Sequence, residues 1–405
     1  MSEPIRRSGN CKGAGVKPPT LPKTPKFPFV RSFCIRTASI APRFLVYSQM
    51  RRPRRLFTAR GVELSKETFD TMRYPLGFTM AQARHRSRME RSGKTRYPTV
   101  LMLEPLYTCN LACIGCSTER YTGKLSDRLP LETCFKAVDD CGAPIVNICG
   151  GEPTLYPELK DLVAGMIARK KYMIMCTNAL RLEDKVYGVI PPTDHLFLMV
   201  HLDGMRETHD HVTNRKGVFD KAVAMVRKGK ELGYHVFLNT TVFKQTNVEE
   251  IEDLCKLVDE LKANGILVAP GYEYESVERD IFLTKAQIHE KFRAIRAFSR
   301  KYKVCATPTF LEFAAGLREL PCSPWSTVNY TPKGWKAPCY LIEGEGYHQD
   351  WTEFWTQTDW AYWESRQDPR CQNCKMHSGF EHSAVNESMK TLSGTLRLAA
   401  WSLGR

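Results

Sequence analysis

The chain has 405 residues with 15 cysteines and a formal net charge of +15. The charge is uneven: residues 1–98 carry 22 Lys and Arg against 5 Asp and Glu, whereas residues 99–405 carry 37 against 39. A basic excess confined to one segment does not argue for nucleic acid as a partner, and we expect none. We find neither a bilayer-spanning apolar run nor a signal-peptide core after Met1. Reduced thiols then indicate a cytoplasmic protein rather than a disulfide-bonded one.

Residues 1–71 are rich in Pro, Arg and Ser, and their densest charge run is 51–55. Two functional interpretations are a tether to an anionic membrane and a presequence-like segment. The simpler alternatives are a disordered tail and a chain that starts at Met72. We predict a basic, disordered extension, and a peripheral contact with the membrane surface remains a prediction for this segment.

Strands and helices alternate from residue 99 onwards, after a basic helix over 79–91. Six apolar segments are typical of parallel strands buried on both faces, at residues 99–107, 145–149, 172–177, 196–202, 235–242 and 265–270. Amphipathic helices are predicted over 131–141, 157–169, 218–232, 248–263 and 285–301. This alternation predicts an α/β fold, a partial (β/α)6 TIM-like barrel over residues 72–305, with its chemistry at the carboxyl ends of the strands.

Three cysteines follow the first predicted strand at C-x3-C-x2-C spacing: Cys109, Cys113 and Cys116. Such a loop can ligate three irons of a [4Fe–4S] cluster, which normally takes four thiolates. The open fourth iron is typical of radical S-adenosylmethionine (SAM) enzymes, in which it chelates the methionine part of SAM. The alternatives are a zinc knuckle, although zinc favours four closed ligands, and a cluster of buried cysteines.

A second motif ends the next predicted strand, at Gly150, Gly151, Glu152 and Pro153. In radical SAM enzymes this turn holds the methionyl ammonium, because glycines allow close backbone approach and Glu152 offers a carboxylate. Later strand ends add polar groups that outline a pocket for adenosine and a substrate, among them Asn178, His201 and Asp203. Each of these three is also compatible with ordinary strand capping.

Residues 306–388 differ in composition, with six of the seven tryptophans between positions 325 and 363. Four cysteines lie there: Cys322, Cys339, Cys371 and Cys374. The arrangement resembles the twitch half of the auxiliary-cluster domains attached to many radical SAM enzymes, which implies a second [4Fe–4S] cluster. A zinc site and unligated core cysteines are the alternatives. Residues 389–405 are predicted to form a tail.

Residues 72–388 resemble the adenosylhopane synthases, which are radical SAM enzymes of hopanoid biosynthesis. The likeness includes the segments 97–106, 109–113, 141–144, 176–180, 200–204, 217–222 and 338–341. It implies an adenosyl transferase that adds a 5′-deoxyadenosyl radical to the alkene of a hopene (diploptene) and gives adenosylhopane. A reductant such as ferredoxin or flavodoxin would serve the cluster. The resemblance also implies that Cys176, at the third strand end, returns a hydrogen atom to the product radical.

Two other functions are compatible with the same motifs. The first is a radical SAM enzyme with an auxiliary cluster that abstracts hydrogen from a peptide or another substrate. The second is an iron–sulfur electron carrier without SAM chemistry, which the intact turn at 150–153 argues against.

Overall fold

A single sheet organises the chain in its computed structural model, which describes residues 73–117, 122–273, 277 and 280–404. All of these residues belong to one unit, residues 56–405. The predicted extension over 1–71 lies outside the described residues. Among the helices that are described, none combines the length and apolar character needed to cross a membrane.

The six predicted strands form the parallel part of the sheet: β1 (Val100–Leu103), β2 (Ile145–Ile148), β3 (Tyr172–Thr177), β4 (Leu196–His201), β5 (His235–Val242) and β6 (Ile266–Pro270). Each strand pairs in parallel with the next one along the chain. The predicted fold class is therefore confirmed. β1 ends at Leu103 rather than at the predicted residue 107, and Pro105, which follows, has no N–H to donate to a ladder.

Helices connect the strands: α1 (Leu76–Arg91), α2 (Leu131–Cys141), α3 (Leu159–Ala168), α4 (Leu182–Lys185), α5 (Arg206–Val212), α6 (Val218–Glu231), α7 (Val248–Glu260) and α8 (Lys285–Phe298). α1 and the residues before it close one end of the barrel interior. Phe78 packs against Phe197, and Tyr74 stacks on Phe237, with ring centroids 5.2 and 5.3 Å apart. Phe197 and Phe237 lie near the amino-terminal ends of β4 and β5. The amino-terminal end of the barrel is thus filled, which leaves the carboxyl ends for a site.

The C-terminal region continues the same sheet instead of forming a separate layer. It contains α9 (Pro308–Ala314), β7 (Thr327–Thr331), β8 (Gly334–Lys336), β9 (Tyr347–His348), α10 (Trp351–Gln357), α11 (Trp360–Ser365), α12 (His377–Met389) and α13 (Leu392–Ser402). β7 pairs in parallel with β1, and β8 and β9 add antiparallel strands. The sheet therefore crosses the predicted domain boundary at residue 305, and the predicted tail over 389–405 contains a helix.

Candidate active site

The loop of Cys109, Cys113 and Cys116 lies directly beyond β1, and the segment that leads into it is hydrogen-bonded to the turn that follows β2. Gly151 donates its backbone N–H to the carbonyl of Leu106, and Glu152 donates to that of Thr108, both at 2.9 Å. The three thiols are partly exposed. The two motifs predicted to act together are thus joined through the backbone.

The loop thiols lie close enough to influence one another electrostatically. Burial, together with the charges of Glu152 and Cys116, raises the pKa of Cys109 to about 11. Burial also raises the pKa of Cys113, with added contributions from Cys116 and Asp203. A metal cluster binds thiolates, so loading this loop must release protons.

The spacing of the side chains distinguishes between kinds of metal site. Within the described ranges, no three His, Cys, Asp or Glu side chains are grouped to hold a metal ion. Thiolates on one zinc ion lie roughly 3.8 Å apart, given a Zn–S bond of about 2.3 Å. A cubane spreads its thiolates wider, because each binds a different iron. A donor set of three thiols in one loop fits the cubane better than zinc.

Close backbone packing explains the two glycines of the turn. Gly150 has φ +100°, which an L side chain rarely adopts, and its Cβ would collide with the carbonyl oxygen of Leu106. A Cβ on Gly151 would collide with the backbone of Thr108. Pro153 then opens a short 3-10 turn. Glycine is therefore needed where the turn touches the segment between β1 and Cys109.

Glu152 is bound by the protein itself. Its Oε1 accepts hydrogen bonds from the hydroxyls of Thr154 (2.6 Å) and Thr177 (2.7 Å), and its Oε2 accepts one from the N–H of Asn178 (2.9 Å). Burial raises the pKa of this carboxyl, and these bonds oppose the rise. The carboxylate, predicted to meet the methionyl ammonium, is thus occupied in tying the turn to the end of β3. A contact between Glu152 and the methionyl ammonium stays a prediction.

The other predicted polar residues reach the same end of the barrel. Asn178 donates from Nδ2 to Oδ1 of Asn110, next to Cys109, at 2.7 Å. His201 Nε2 lies 2.6 Å from Oδ2 of Asp203. Burial lowers the pKa of His201, but the charge and hydrogen bond of Asp203 outweigh it, so the net shift is upward. Because Asp203 also acts on Cys113, the predicted ligand pocket and cluster loop are neighbours.

Two further thiols belong to the barrel interior. Cys176 packs against the interior apolar cluster, and its Sγ lies 3.3 Å from Oδ1 of Asn147. Burial raises its pKa to about 12, so the thiol keeps its proton at neutral pH. Cys149 follows Asn147 in the same two-residue alternation, which directs it to the same side of the sheet. Ile145 belongs to the interior cluster, so the alternation 145, 147, 149 is the sequence signal that places Cys149 inside the barrel.

The four C-terminal cysteines line one cavity. Burial raises the pKa of Cys371 to about 11 and that of Cys374 to about 12. Arg366 donates from Nη2 to the carbonyls of both residues, at 2.8 and 3.1 Å. The donor set is four thiols around one space, which fits a closed second cluster.

Two long-range contacts connect the cavity region with the mouth of the barrel. Tyr272, just after β6, lines the cavity and donates its hydroxyl to the carbonyl of Arg370 at 3.4 Å. Ser117, next to the last loop cysteine, donates to Oε1 of Glu343 at 3.1 Å. Neither contact has a local sequence signal, because the partners are 98 and 226 residues apart.

Comparison with known families divides the chain into two parts. Residues 103–258 match the radical SAM superfamily. Residues 266–398 match a domain of unknown function, DUF3463. The first match contains the cysteine loop, the glycine turn and strand ends 3 to 5, and the second contains all four cavity cysteines.

Several characterised proteins are similar to parts of the chain. The Fe-coproporphyrin III synthase of Methanosarcina barkeri is 31% identical over 44% of this chain and 46% of its own length. The mycofactocin maturase MftC of Mycobacterium tuberculosis is 30% identical over 40% of this chain and 41% of its own length. The chain thus spans less than half the length of these relatives. SuiB of Streptococcus suis, solved with S-adenosylmethionine, has a TM-score of 0.58 at 16% identity over 77% of this chain and 79% of SuiB, which shows the fold.

Proposed function

We propose that this chain is a radical SAM enzyme that adds the 5′-deoxyadenosyl group of SAM to the alkene of an apolar lipid, with a hopene as the leading substrate; the match of residues 103–258 to the radical SAM superfamily supports the reaction class. The family uses a [4Fe–4S] cluster that, when reduced, supplies the electron for cleaving SAM. We assign Cys109, Cys113 and Cys116 to this cluster. The backbone at 150–153 and the side chains of Asn178, His201 and Asp203 are proposed to bind and orient SAM.

The neutral thiol of Cys176 in the barrel interior carries the proposal. Radical addition to an alkene joins the adenosyl carbon to one alkene carbon and leaves an unpaired electron on the other. Transfer of the hydrogen atom from Cys176 forms the new C–H bond and leaves a thiyl radical. One electron from an external reductant of the ferredoxin or flavodoxin class, and one proton, restore the thiol. The raised pKa keeps the S–H bond available for this step.

A second candidate is hydrogen abstraction from a peptide. Two similar proteins support it: MftC is named a maturase, and SuiB was solved with its precursor peptide SuiA. The cavity cysteines also fit an auxiliary cluster. These comparisons favour this candidate over a lipid substrate. The sequence resemblance and the interior thiol support the lipid.

The fate of the adenosyl group separates the two candidates. Reconstituted enzyme is incubated without oxygen with SAM, dithionite and diploptene, and the lipid is analysed by mass spectrometry. We expect the lipid to gain the adenosyl group. Free 5′-deoxyadenosine formed in proportion to a modified peptide, with unchanged lipid, would favour the second candidate.

The role of Cys176 is tested against its neighbour Cys149. We expect Cys176→Ala to leave SAM cleavage intact while the adduct is reduced slowly or without stereochemical control. Cys149→Ala is the matched control, because it removes a nearby thiol of the same chemistry. If Cys149→Ala alone gives that defect, the donor is Cys149.

A further inference from the structure

The C-terminal helix α13 carries the most exposed large apolar side chains of the described chain. Leu392 is 78% exposed and Leu396 is 61% exposed. Ala399 and Leu403 follow on the same side, since positions 392, 396, 399 and 403 fall within about 60° on a helical wheel. We call these four residues the α13 face. Isolated exposed leucines are common, but an apolar stripe along one side of a helix indicates an interaction surface.

The helix is fixed to the protein through its opposite side. Arg73 donates from Nε to the carbonyl of Trp401 at 2.9 Å, and Trp401 donates from Nε1 to the carbonyl of Val304 at 3.4 Å. Arg397 forms an ion pair with Glu312 at 2.6 Å. The α13 face therefore points away from the protein because the other side of the helix is held.

A basic helix runs beside α13 in the reverse direction. The backbone N–H of Arg73, just before α1, bonds to the carbonyl of Ser402, and Arg86 within α1 contacts the sulfur of Met389 at 3.2 Å. The exposed residues of α1 include Met80 and the cations Arg84, Arg88 and Arg91, and the one exposed acid of the helix, Glu90, is paired with Arg86. From residue 388 to the end of the sequence there is no Asp or Glu.

We propose that the α13 face and the α1 arginines form a peripheral binding surface for an anionic phospholipid bilayer. An apolar stripe beside cations matches the boundary between acyl chains and anionic headgroups. Charge complementarity favours a membrane over a second copy of the chain, because two cationic surfaces would repel each other. The surface is independent of the cluster, the SAM site and the substrate.

The test uses the full chain and vesicles of phosphatidylcholine with and without phosphatidylglycerol, in a flotation assay. We expect binding to the anionic vesicles, and a loss of roughly tenfold or more in partitioning for L392S/L396S. Leu232→Ser is the matched control, because Leu232 is 46% exposed on the barrel. R84Q/R91Q should weaken binding by about fivefold for each charge, and added salt should remove the effect.

Three results would overturn the proposal. L392S/L396S could bind like Leu232→Ser, which would place any membrane contact in another segment, such as residues 1–71. The wild-type chain could fail to bind vesicles. It could also be a dimer that L392S/L396S converts to a monomer, which would make a second copy the occupant. SAM cleavage by each variant, measured without vesicles, shows that the fold is intact and separates this test from that of the proposed function.

Discussion

The two cysteine sets of this protein are built in different ways. Cys109, Cys113 and Cys116 lie within eight residues and follow one strand, so their spacing alone brings them together. The four cavity cysteines span positions 322 to 374 and meet only because β7, β8 and the segment before α12 fold around one space. A local motif can therefore be recognised in a sequence, whereas the second set depends on tertiary structure.

Their surroundings differ as well. The loop thiols share the barrel mouth with the carboxylates of Glu152 and Asp203, whose charges raise the thiol pKa values. The cavity cysteines are enclosed by Leu341, Ile342 and Trp363, with arginines nearby. This contrast supports the proposal of a SAM site at the loop and of a second cluster in the cavity.

The largest expected effect comes from the loop. Replacing Cys113 with Ala should reduce SAM cleavage to background, because two thiolates do not anchor a cluster with one open iron. Cys134→Ala, in the core of α2, is the control and should retain cleavage. Methionine and 5′-deoxyadenosine are measured by chromatography after anaerobic reduction with dithionite. Cleavage at the wild-type rate by Cys113→Ala would remove the basis for the radical SAM site.

The glycine turn comes next. We expect Gly151→Ala to reduce SAM cleavage by about 100-fold or more, because its Cβ would push the turn away from Thr108 and displace the cysteine loop. Gly165→Ala is a matched control, since its Cβ also meets a neighbour, the Phe135 side chain, but far from the site. Equal SAM cleavage by the two variants would show that the close packing of the turn against the loop is not needed for activity.

The cavity cysteines should affect iron content rather than cleavage. Reconstituted wild-type protein should hold about eight irons per chain, and C371A/C374A about four, if each cysteine set binds one cubane. Cys255→Ala, on α7, should hold as many irons as the wild type. An iron count near four in fully reconstituted wild-type protein would exclude the second cluster and leave a zinc site or packing as the role of these cysteines.

The smallest effect concerns the helix that follows the cavity. Burial raises the pKa of Glu381 on α12 to about 7, although it accepts a hydrogen bond from the N–H of Thr307. A carboxyl with a raised pKa stabilises the fold below its unfolded pKa, and this stability is lost as the pH rises through about 7. The loss is at most about 3 kcal/mol. Glu381→Gln should therefore lose less thermal stability than wild type between pH 5 and pH 8; identical profiles would contradict this.

Much of the barrel could be predicted from its sequence because its signals are local. Apolar runs bounded by polar strand ends gave six strands in the right order, and only β1 was several residues too long. Both site motifs were found by spacing. The sequence did not show that β7 joins β1, because Thr327–Thr331 has a polar composition. Asn329 is nevertheless fully buried, and it donates to the carbonyl of Met102 at 3.1 Å.

The sequence also did not predict the hydrogen-bond partners of individual side chains. The sequence did not predict that the carboxylate of Glu152 accepts hydrogen bonds from two threonine hydroxyls and from the N–H of Asn178. Thr177 and Asn178 come from the end of the next strand, and a single sequence does not give the register between strands. The leucines of α13 lie in the segment that was predicted to be a tail. Their spacing could not show that they face outward, because an apolar stripe on the outside of a helix has the same spacing as one that faces the core.

The most direct test of the difference between the two cysteine sets is electron–nuclear double resonance on the reduced C371A/C374A variant. SAM is added with ¹⁵N and ¹⁷O in its methionine amino and carboxylate groups. We expect hyperfine coupling of both labels to the remaining cluster, because the loop of Cys109, Cys113 and Cys116 leaves one iron open to SAM. A reduced cluster whose spectrum shows neither coupling would contradict that assignment.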